Sequence, residues 1–506
     1  MTKLLHKTPS VALVTAGLAS PSSASPLGEF DRTFFPEPVF ESQPEFVDLY
    51  WTAWKLAWEK MRDDEGMPQT PYIDEAHSAD VIWIWDTCFM VLFAKYAADT
   101  IPGIETLNNF YAPFHDGVDI PVRIQHPDNP PLFAWVEHDY YRFTNDATHL
   151  KQLITEDAYL QKHYNWVETV KPGSHVGRSR ETHAERVANG YHWHGLTSGM
   201  DNTPRGGGNH AGYQSILWVD LLAQQGLSAL YISRLAEQLG EEEIARTWRD
   251  IYEEQKALLN ELYWNEEDGV YYDINANTLE HHKVKTPATY WPMLAEMCSP
   301  EQAARLAAQI EDDEIFGGVI PLPSVARNDP AFVSPDGEYW RGGVWLPTSY
   351  MSIKAIEKYG FYDIAHRTAR KTLDHMLTTY QTVEPATIWE AYSPDRPHPA
   401  GYKPGRKRQF ARKDFCGWSA LGPISLFIEN IMGFHTVDAD ARLVEWNYRR
   451  ENQAHGIKRL RFGDIETDIT VDAEGQVTVQ SNADYTLKVN DHEHAITSGK
   501  TQFTIK

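Results

Sequence analysis

The sequence predicts a mainly α protein that ends in a small antiparallel β unit, and three observations predict it. Apolar residues recur at three-and-four spacing from about residue 44 to 433, as in PEFVDLYWTAWKLAWEKM and YQSILWVDLLAQQGLSALYISRLAEQLG. Twelve stretches of this kind can be counted, as many as six helical hairpins need to close into a barrel. After Gly433 the apolar period drops to two.

Taken in order, residues 1–30 read as a leader: Lys3, His6 and Lys7 precede the weakly apolar PSVALVTAGLA and then ASPSSASP. That is the pattern of a secretory signal cleaved after Ala19 or Ala24, which would place the protein in the periplasm or outside the cell; without it the protein would be cytoplasmic. Residues 31–438 are expected to form one large helical domain. Its helices are expected at 44–62, 86–98, 104–115, 131–145, 147–169, 213–239, 241–264, 287–296, 300–311, 345–359, 361–379 and 417–432. The connections at 170–212, 312–344 and 380–416 are long and rich in Gly and Pro, the kind of loop on which a rigid scaffold carries functional groups. Residues 439–506 contain VTVQSNADYTLKV and HAITSGKTQFTIK, with EGQ and SGK as turns, and predict the β unit. Its aromatics, Trp446, Tyr448, Phe462, Tyr485 and Phe503, form no clustered stacking platform, so it reads as a cap on the helical domain and not as a carbohydrate-binding module.

A chain of 506 residues with 42% hydrophobic residues can bury a large core. Its net charge of −25 argues against nucleic acid or an anionic membrane surface as partner, since both require basic patches. No apolar run is long enough to span a bilayer. Cys88, Cys298 and Cys416 have no metal-ligand spacing and are read as small buried hydrophobes. His192 and His194, in YHWHG, lack a third nearby ligand, so no metal and no other cofactor is expected. The 17 Trp and 25 Tyr supply flat faces of the sort that stack on the C–H faces of sugars, although most must serve the core.

Two segments carry the chemistry. SGMDNTPR sets Asp201, and TIWEAYSPD sets Glu390, each among aromatic, Gly or Arg residues. Two opposed carboxyl groups, one a proton donor and one a base, are what hydrolysis of a glycosidic bond requires. WIWDT at 83–87, SGMDNTPR at 198–205, YWRGGVWLPTSY at 339–350, IWEAYSP at 388–394 and FCGWSAL at 415–421 occur in the order found in the trehalase-like glycoside hydrolases. This group includes the trehalases, the processing alpha-glucosidase I enzymes and the mannosylglycerate hydrolases, and the chain resembles it over about 45–435.

The resemblance implies an (α/α)6 barrel and an inverting hydrolase, with Asp201 as general acid and Glu390 as general base. It implies further that Trp85 and Asp86 form the pocket floor, Asp86 accepting from sugar hydroxyls. Asn202 and Arg205 are placed to bond hydroxyls; Trp340, Arg341 and Trp345 look like an aromatic clamp with a cation between; Trp389, Tyr392 and Trp418 complete the wall. Other uses for the acids are a helix N-cap for Asp86 and a salt bridge from Glu390 to Arg396 or Lys403. The chain departs from the family at Gly343, where proline is usual, and at Ser393, where asparagine is common. The trehalases' glycine- and arginine-rich entry motif is not recognisable before Trp85, which demotes trehalose.

The expected activity is exo-cleavage of a terminal, α-linked sugar of the glucosidase or mannosidase kind, with an oligosaccharide or glycoside as substrate and neither nucleic acid nor membrane insertion expected. An (α/α)6 sugar 2-epimerase, for which His194 and His210 could serve, and a non-catalytic carbohydrate-binding protein are the readings from other classes.

Overall fold

The computed structural model describes residues 25–75, 78–403 and 405–505, so both cleavage positions of the expected leader lie outside the described residues. Leu27 and Phe30 lie against the core, and Trp58 Nε1 donates to the Gly28 carbonyl at 2.9 Å.

Twelve helical segments coincide with the expected ones. They are α1 (Pro44–Glu59), α2 (Ile84–Ala94), α3 (Asn108–Tyr111, continued by a π-wound turn Ala112–Asp116), α4 (Phe133–Thr144), α5 (Tyr159–Thr169), α6 (Val219–Gln238), α7 (Glu242–Leu262), α8 (Trp291–Leu294), α9 (Pro300–Glu311), α10 (Leu346–Glu357), α11 (Tyr362–Thr382) and the π-wound α12 (Gly422–Ile431). Two boundaries differ most. The segment expected at 147–169 is broken before α5, because Ala158 adopts a left-handed conformation (φ 51°) that no helix interior accepts. The one expected from 213 starts only at Val219, because Ile216 and Leu217 pair with Ile274 and Asn275 as a short ladder.

Local sequence explains the helix ends. Pro44 and Pro300 occupy first helical positions, where the missing N–H costs nothing. α9 starts with a capping box in which Ser299 receives the Gln302 amide N–H while the Gln302 side chain reaches back to the Ser299 N–H.

Burial alternates along the series. Every residue of α2 and α12 is buried, and so is nearly all of α6 and α10. α7 instead buries Ala245, Trp248, Tyr252, Gln255 and Leu259, a single stripe at three-and-four spacing. A helix buried all round belongs inside and a one-striped helix outside. The contacts follow this order: α2 packs on α4, α4 on α6, α6 on α8, α8 on α10, and α10 on the turn Trp418–Leu421, which leads into α12 and packs back on α2. α7 lies on α6, α11 on α10 and α12, and α1 on α12.

Charged groups buried at the C-terminal ends of the even-numbered helices tie several of them together. Lys354 of α10 reaches Glu429 of α12 at 2.7 Å and Glu357 at 2.9 Å, and Lys95, just after α2, reaches Asp139 of α4 at 2.8 Å. Burial pushes the Glu429 carboxyl up, but Lys354 and Lys95 outweigh it and hold that group below the usual range.

The C-terminal region is β, as expected, but not wholly antiparallel and not built from its own residues alone. Its strands are β2 (Thr436–Asp438), β3 (Leu443–Trp446), β4 (His455–Phe462), β5 (Ile465–Val471), β6 (Gln476–Ser481), β7 (Tyr485–Val489), β8 (His492–Ile496) and β9 (Gly499–Thr504). An N-terminal strand, β1 (Glu37–Phe40), pairs antiparallel with β4 and becomes the edge of a sheet ordered β1-β4-β5-β6-β9. The second sheet is ordered β2-β3-β7-β8, and within it β3 and β7 run parallel. Trp446, fully buried, donates to the Met432 carbonyl at 2.7 Å, and Arg142 near the end of α4 pairs with Asp438 at 2.6 Å. The β unit therefore packs at the C-terminal end of α4, away from the N-terminus of α2.

Candidate active site

The motif residues gather where even-numbered helices begin. Trp85 and Asp86 lie in the first turn of α2, Trp345 is the residue before α10, Trp418 opens the turn before α12, and Asp201 lies in the connection that leads to α6. A cleft of about 330 Å³ opens there, and Trp85, Asp86, Asp201, Trp340 and Trp418 line it.

Gly199 shows why the Asp201 loop has its sequence. Its φ of +84° is left-handed, and a Cβ on it would stand 2.8 Å from the Trp85 ring. Only glycine lets the loop lie on that indole. Beyond it, Asp201 receives a 2.5 Å hydrogen bond on Oδ2 from Lys403 Nζ.

Glu390 is fully buried and sits directly behind the wall. Arg412 donates to it twice, from its backbone N–H at 2.8 Å and from its guanidinium at 3.0 Å, and the Tyr339 hydroxyl donates at 3.2 Å. Its own N–H and carbonyl are bound by the Arg412 carbonyl and the Trp418 indole. The salt bridge is thus to Arg412, and neither of the two cations the sequence suggested takes part: Arg396 pairs with Asp336 and Lys403 with Asp201. Tyr339 links the two acids. Its hydroxyl meets Glu390, and its ring lies beneath Lys403 Nζ at 4.6 Å.

Asp86 is inside the first turn of α2, not at its N-cap, which is Trp83. Burial is the main cause that pushes its carboxyl well above the usual range, Asp74 and Glu390 add to it, and Arg412 opposes them. The shift favours the protonated carboxyl, which can donate as well as accept. Asp86→Asn, which also donates, should keep kcat/KM at pH 7 within about tenfold, whereas Asp86→Ala should lose about 10–100-fold, the worth of one strong buried hydrogen bond. Equal losses in the two variants would contradict a protonated carboxyl.

Several expected site residues stand elsewhere. Both ends of the Asn202 side chain hold the neighbouring loop, Nδ2 donating to the Glu338 carbonyl at 3.1 Å and Oδ1 accepting from Trp340 N–H at 2.8 Å. Arg205 is buried outside the cleft lining, paired with Asp220 at 2.7 Å and Asp273 at 3.4 Å, with its guanidinium 4.1 Å over the Trp218 ring. No cation separates Trp340 from Trp345, whose rings stack directly at 4.1 Å; Arg341 donates instead to the Asn202 carbonyl. Trp345, Trp389 and Tyr392 form the layer behind the lining, the Tyr392 hydroxyl accepting from the Trp389 N–H. His194 and His210 come together, 4.8 Å between rings, but neither lines the cleft, and burial lowers His194 to about 4. His192 is in a short ladder with Glu185.

The cleft also contains residues that sequence reasoning missed: Tyr339, Gln125, His126, Asn129 and the cations Arg180, Lys403, Arg406 and Arg412. A signal for the cations was present, since KPGRKRQFARK at 403–413 is densely basic in a chain of net charge −25. Trp85 Nε1, Gln125 Oε1, His126 Nδ1, Asn129 Oδ1 and Arg412 Nε are buried and have no hydrogen-bond partner among the described residues. Buried polar atoms are rarely left unpaired, and this mixture of donors and acceptors suits a ligand made of hydroxyl groups. Burial holds His126 at about 3, so it is neutral and can both donate and accept.

A helical scaffold with two carboxylates, indole faces and unpaired polar atoms about one cleft is the equipment of a glycoside hydrolase, and the protein is one. Residues 123–411 match the mannosylglycerate hydrolase MGH1-like glycoside hydrolase domain, and the chain belongs to that family. An uncharacterised protein of Borreliella burgdorferi is 26% identical over 82% of this chain and 85% of its own length. The mannosyl-oligosaccharide glucosidase of Saccharomyces cerevisiae is 26% identical over 57% of this chain, which spans only 37% of that enzyme. Among solved structures, the GH63 mannosylglycerate hydrolase of Thermus thermophilus in complex with Tris and D-glycerate superposes with a TM-score of 0.55 at 17% identity, covering 74% of this chain and 99% of that one.

Proposed function

We propose that the protein is an inverting, exo-acting glycoside hydrolase that releases a terminal α-linked glucosyl or mannosyl unit from a small aglycone carrying a negative charge. Asp201 is the general acid and Glu390, through a water held beside Tyr339 and Arg412, the general base. Residues 31–438 form an (α/α)6 barrel, even-numbered helices inside and odd-numbered ones outside, and residues 439–506 cap it. The cycle of contacts from α2 through α12 and back supports the barrel.

The observation that carries this reading is the lining of one cleft by Asp201, the indoles of Trp85, Trp340 and Trp418, and four cations. A space of about 330 Å³ is near the lower end for ligand sites, enough for one sugar ring and a small leaving group but not for a run of polymer. Arg180, Lys403, Arg406 and Arg412 concentrate positive charge in an otherwise acidic molecule, which favours an anionic aglycone. The Thermus relative's name and its complex with D-glycerate name such a substrate for that enzyme.

A panel of α-glucosides and α-mannosides, with D-glycerate, glycerol or a second sugar as aglycone, tests the proposal. The glycerate derivatives should be cleaved best. NMR in early turnover should show the released sugar as the β anomer, because water attacks the face opposite the leaving group. Release of the α anomer first, or internal cutting of a polysaccharide before any monosaccharide appears, would sink it.

A further inference from the structure

We infer that Lys403 is a substrate-operated latch: it occupies Asp201 until the anionic group of the aglycone draws it away. This rests on the reading of Asp201 as the acid and of the aglycone as an anion.

The geometry creates a conflict that the latch resolves. A general acid must carry a proton when the leaving oxygen needs it. Lys403 Nζ donates to Asp201 Oδ2 at 2.5 Å, and a paired ammonium favours the ionised carboxylate over the protonated form that a general acid needs. Lys403 is the only ion-pair partner of Asp201 among the described residues. Burial is the largest cause that raises the nearby hydroxyls of Tyr213 and Tyr339, which stay neutral, and Arg180, Arg406 and Arg412 line the same cleft as Asp201.

Lys403 has a position from which to serve either partner. It lies in the segment 401–410, whose two arms are joined at Tyr402 and Gln409, and it lines the cleft beside Arg406 and Arg412. Arg412 is engaged by Glu390. Lys403 thus faces both the acid and the space the aglycone enters. An arriving carboxylate takes over the ammonium, and Asp201 takes up one proton from solvent, so the local charge is conserved. Asp201 then passes that proton to the glycosidic oxygen as the C–O bond breaks, water adds at the sugar carbon, and its proton goes to Glu390. A neutral aglycone leaves the latch in place. Selectivity for anions then comes from arming the acid as well as from binding.

Calorimetry with D-glycerate near pH 6.5, in two buffers of different ionisation enthalpy, tests the idea with the full-length protein. Binding to the wild type should be accompanied by net proton uptake. Asp201→Asn should bind D-glycerate more tightly, because Lys403 is already free, and with no proton uptake. Lys403→Met should weaken binding at least tenfold. In turnover, Lys403→Met should lower the ratio of kcat/KM for α-mannosyl-D-glycerate to that for α-mannosylglycerol about 100-fold, with the glycerol derivative cleaved several-fold faster than by the wild type. Lys403→Arg should retain the preference. Binding without proton uptake, or equal losses on both glycosides in Lys403→Met, would overturn the latch while leaving the acid and the substrate class standing. If the wild type neither binds D-glycerate nor prefers its glycosides, the anionic-substrate reading itself fails. An Asp201→Asn enzyme with undiminished turnover removes the acid assignment.

Discussion

Asp201→Asn should slow cleavage of α-glycosides with alkyl aglycones by about 10²–10⁴-fold, the range that general acid catalysis contributes, and should spare the corresponding glycosyl fluoride. Fluoride leaves without a proton, so only the acid's contribution is removed. Glu390→Gln should lose both substrates by a similar factor, because activation of water is common to them. The two variants together separate the roles, since a residue needed only for folding would not divide substrates by leaving group. Tyr339→Phe provides an internal check. It removes the hydroxyl from Glu390 and leaves the ring under Lys403, so it should change the glycoside and the fluoride in parallel. If Asp201→Asn spares natural glycosides, the acid lies elsewhere.

The second large effect is on stability. Arg205→Met should destabilise the protein by about 3–5 kcal/mol, because it leaves Asp220 and Asp273 in a dry interior without their cation. Against a total stability of roughly 5–15 kcal/mol that is a large share. The urea midpoint should fall sharply, while the remaining folded protein should keep its KM. Arg205→Lys should recover part of the loss, because an ammonium can reach one carboxylate but cannot present the guanidinium fork to two. A stable Arg205→Met enzyme with a raised KM would instead return Arg205 to the substrate-binding role its sequence neighbourhood suggests.

Arg205 also shows where a sequence stops being readable. Local periodicity carries the helices, because a buried stripe repeats within a single segment; the stripe of Ala245, Trp248, Tyr252, Gln255 and Leu259 needs no distant partner to be recognised. Motif order carries the two acids, Trp85 and Trp418 to a common region. What an arginine or an asparagine does, however, depends on what arrives from elsewhere. Asn202 holds the Glu338–Trp340 backbone, and Arg205 meets Asp273 from a hairpin well along the chain. Tyr339 opens the motif at 339–350 yet receives no role from the sequence, because its importance comes from standing between Glu390 and Lys403. Lys403, Arg406 and Arg412 are hidden differently: a basic run usually signals a solvated surface, and only the folded loop brings three of its members to the cleft. The β unit is legible in its alternation, but β1 is not, since a four-residue strand whose partner lies at the far end of the chain leaves no local pattern.

That pairing has a consequence for how the molecule comes into being. Glu37 to Phe40 register against Lys458 to His455, and α1 rests on α12, so β1 and α1 have partners made much later. Contacts of such sequence separation carry a large loop-closure cost and make folding slow. During synthesis β1 and α1 must wait, with Phe40, Phe46 and Tyr50 lacking their partner Phe427, until that part of the chain has emerged. An aromatic edge left open in this way is a stage at which chaperone capture competes with aggregation, and the cleft, lined from Trp83 to Trp418, cannot take its shape before Trp418 has been made.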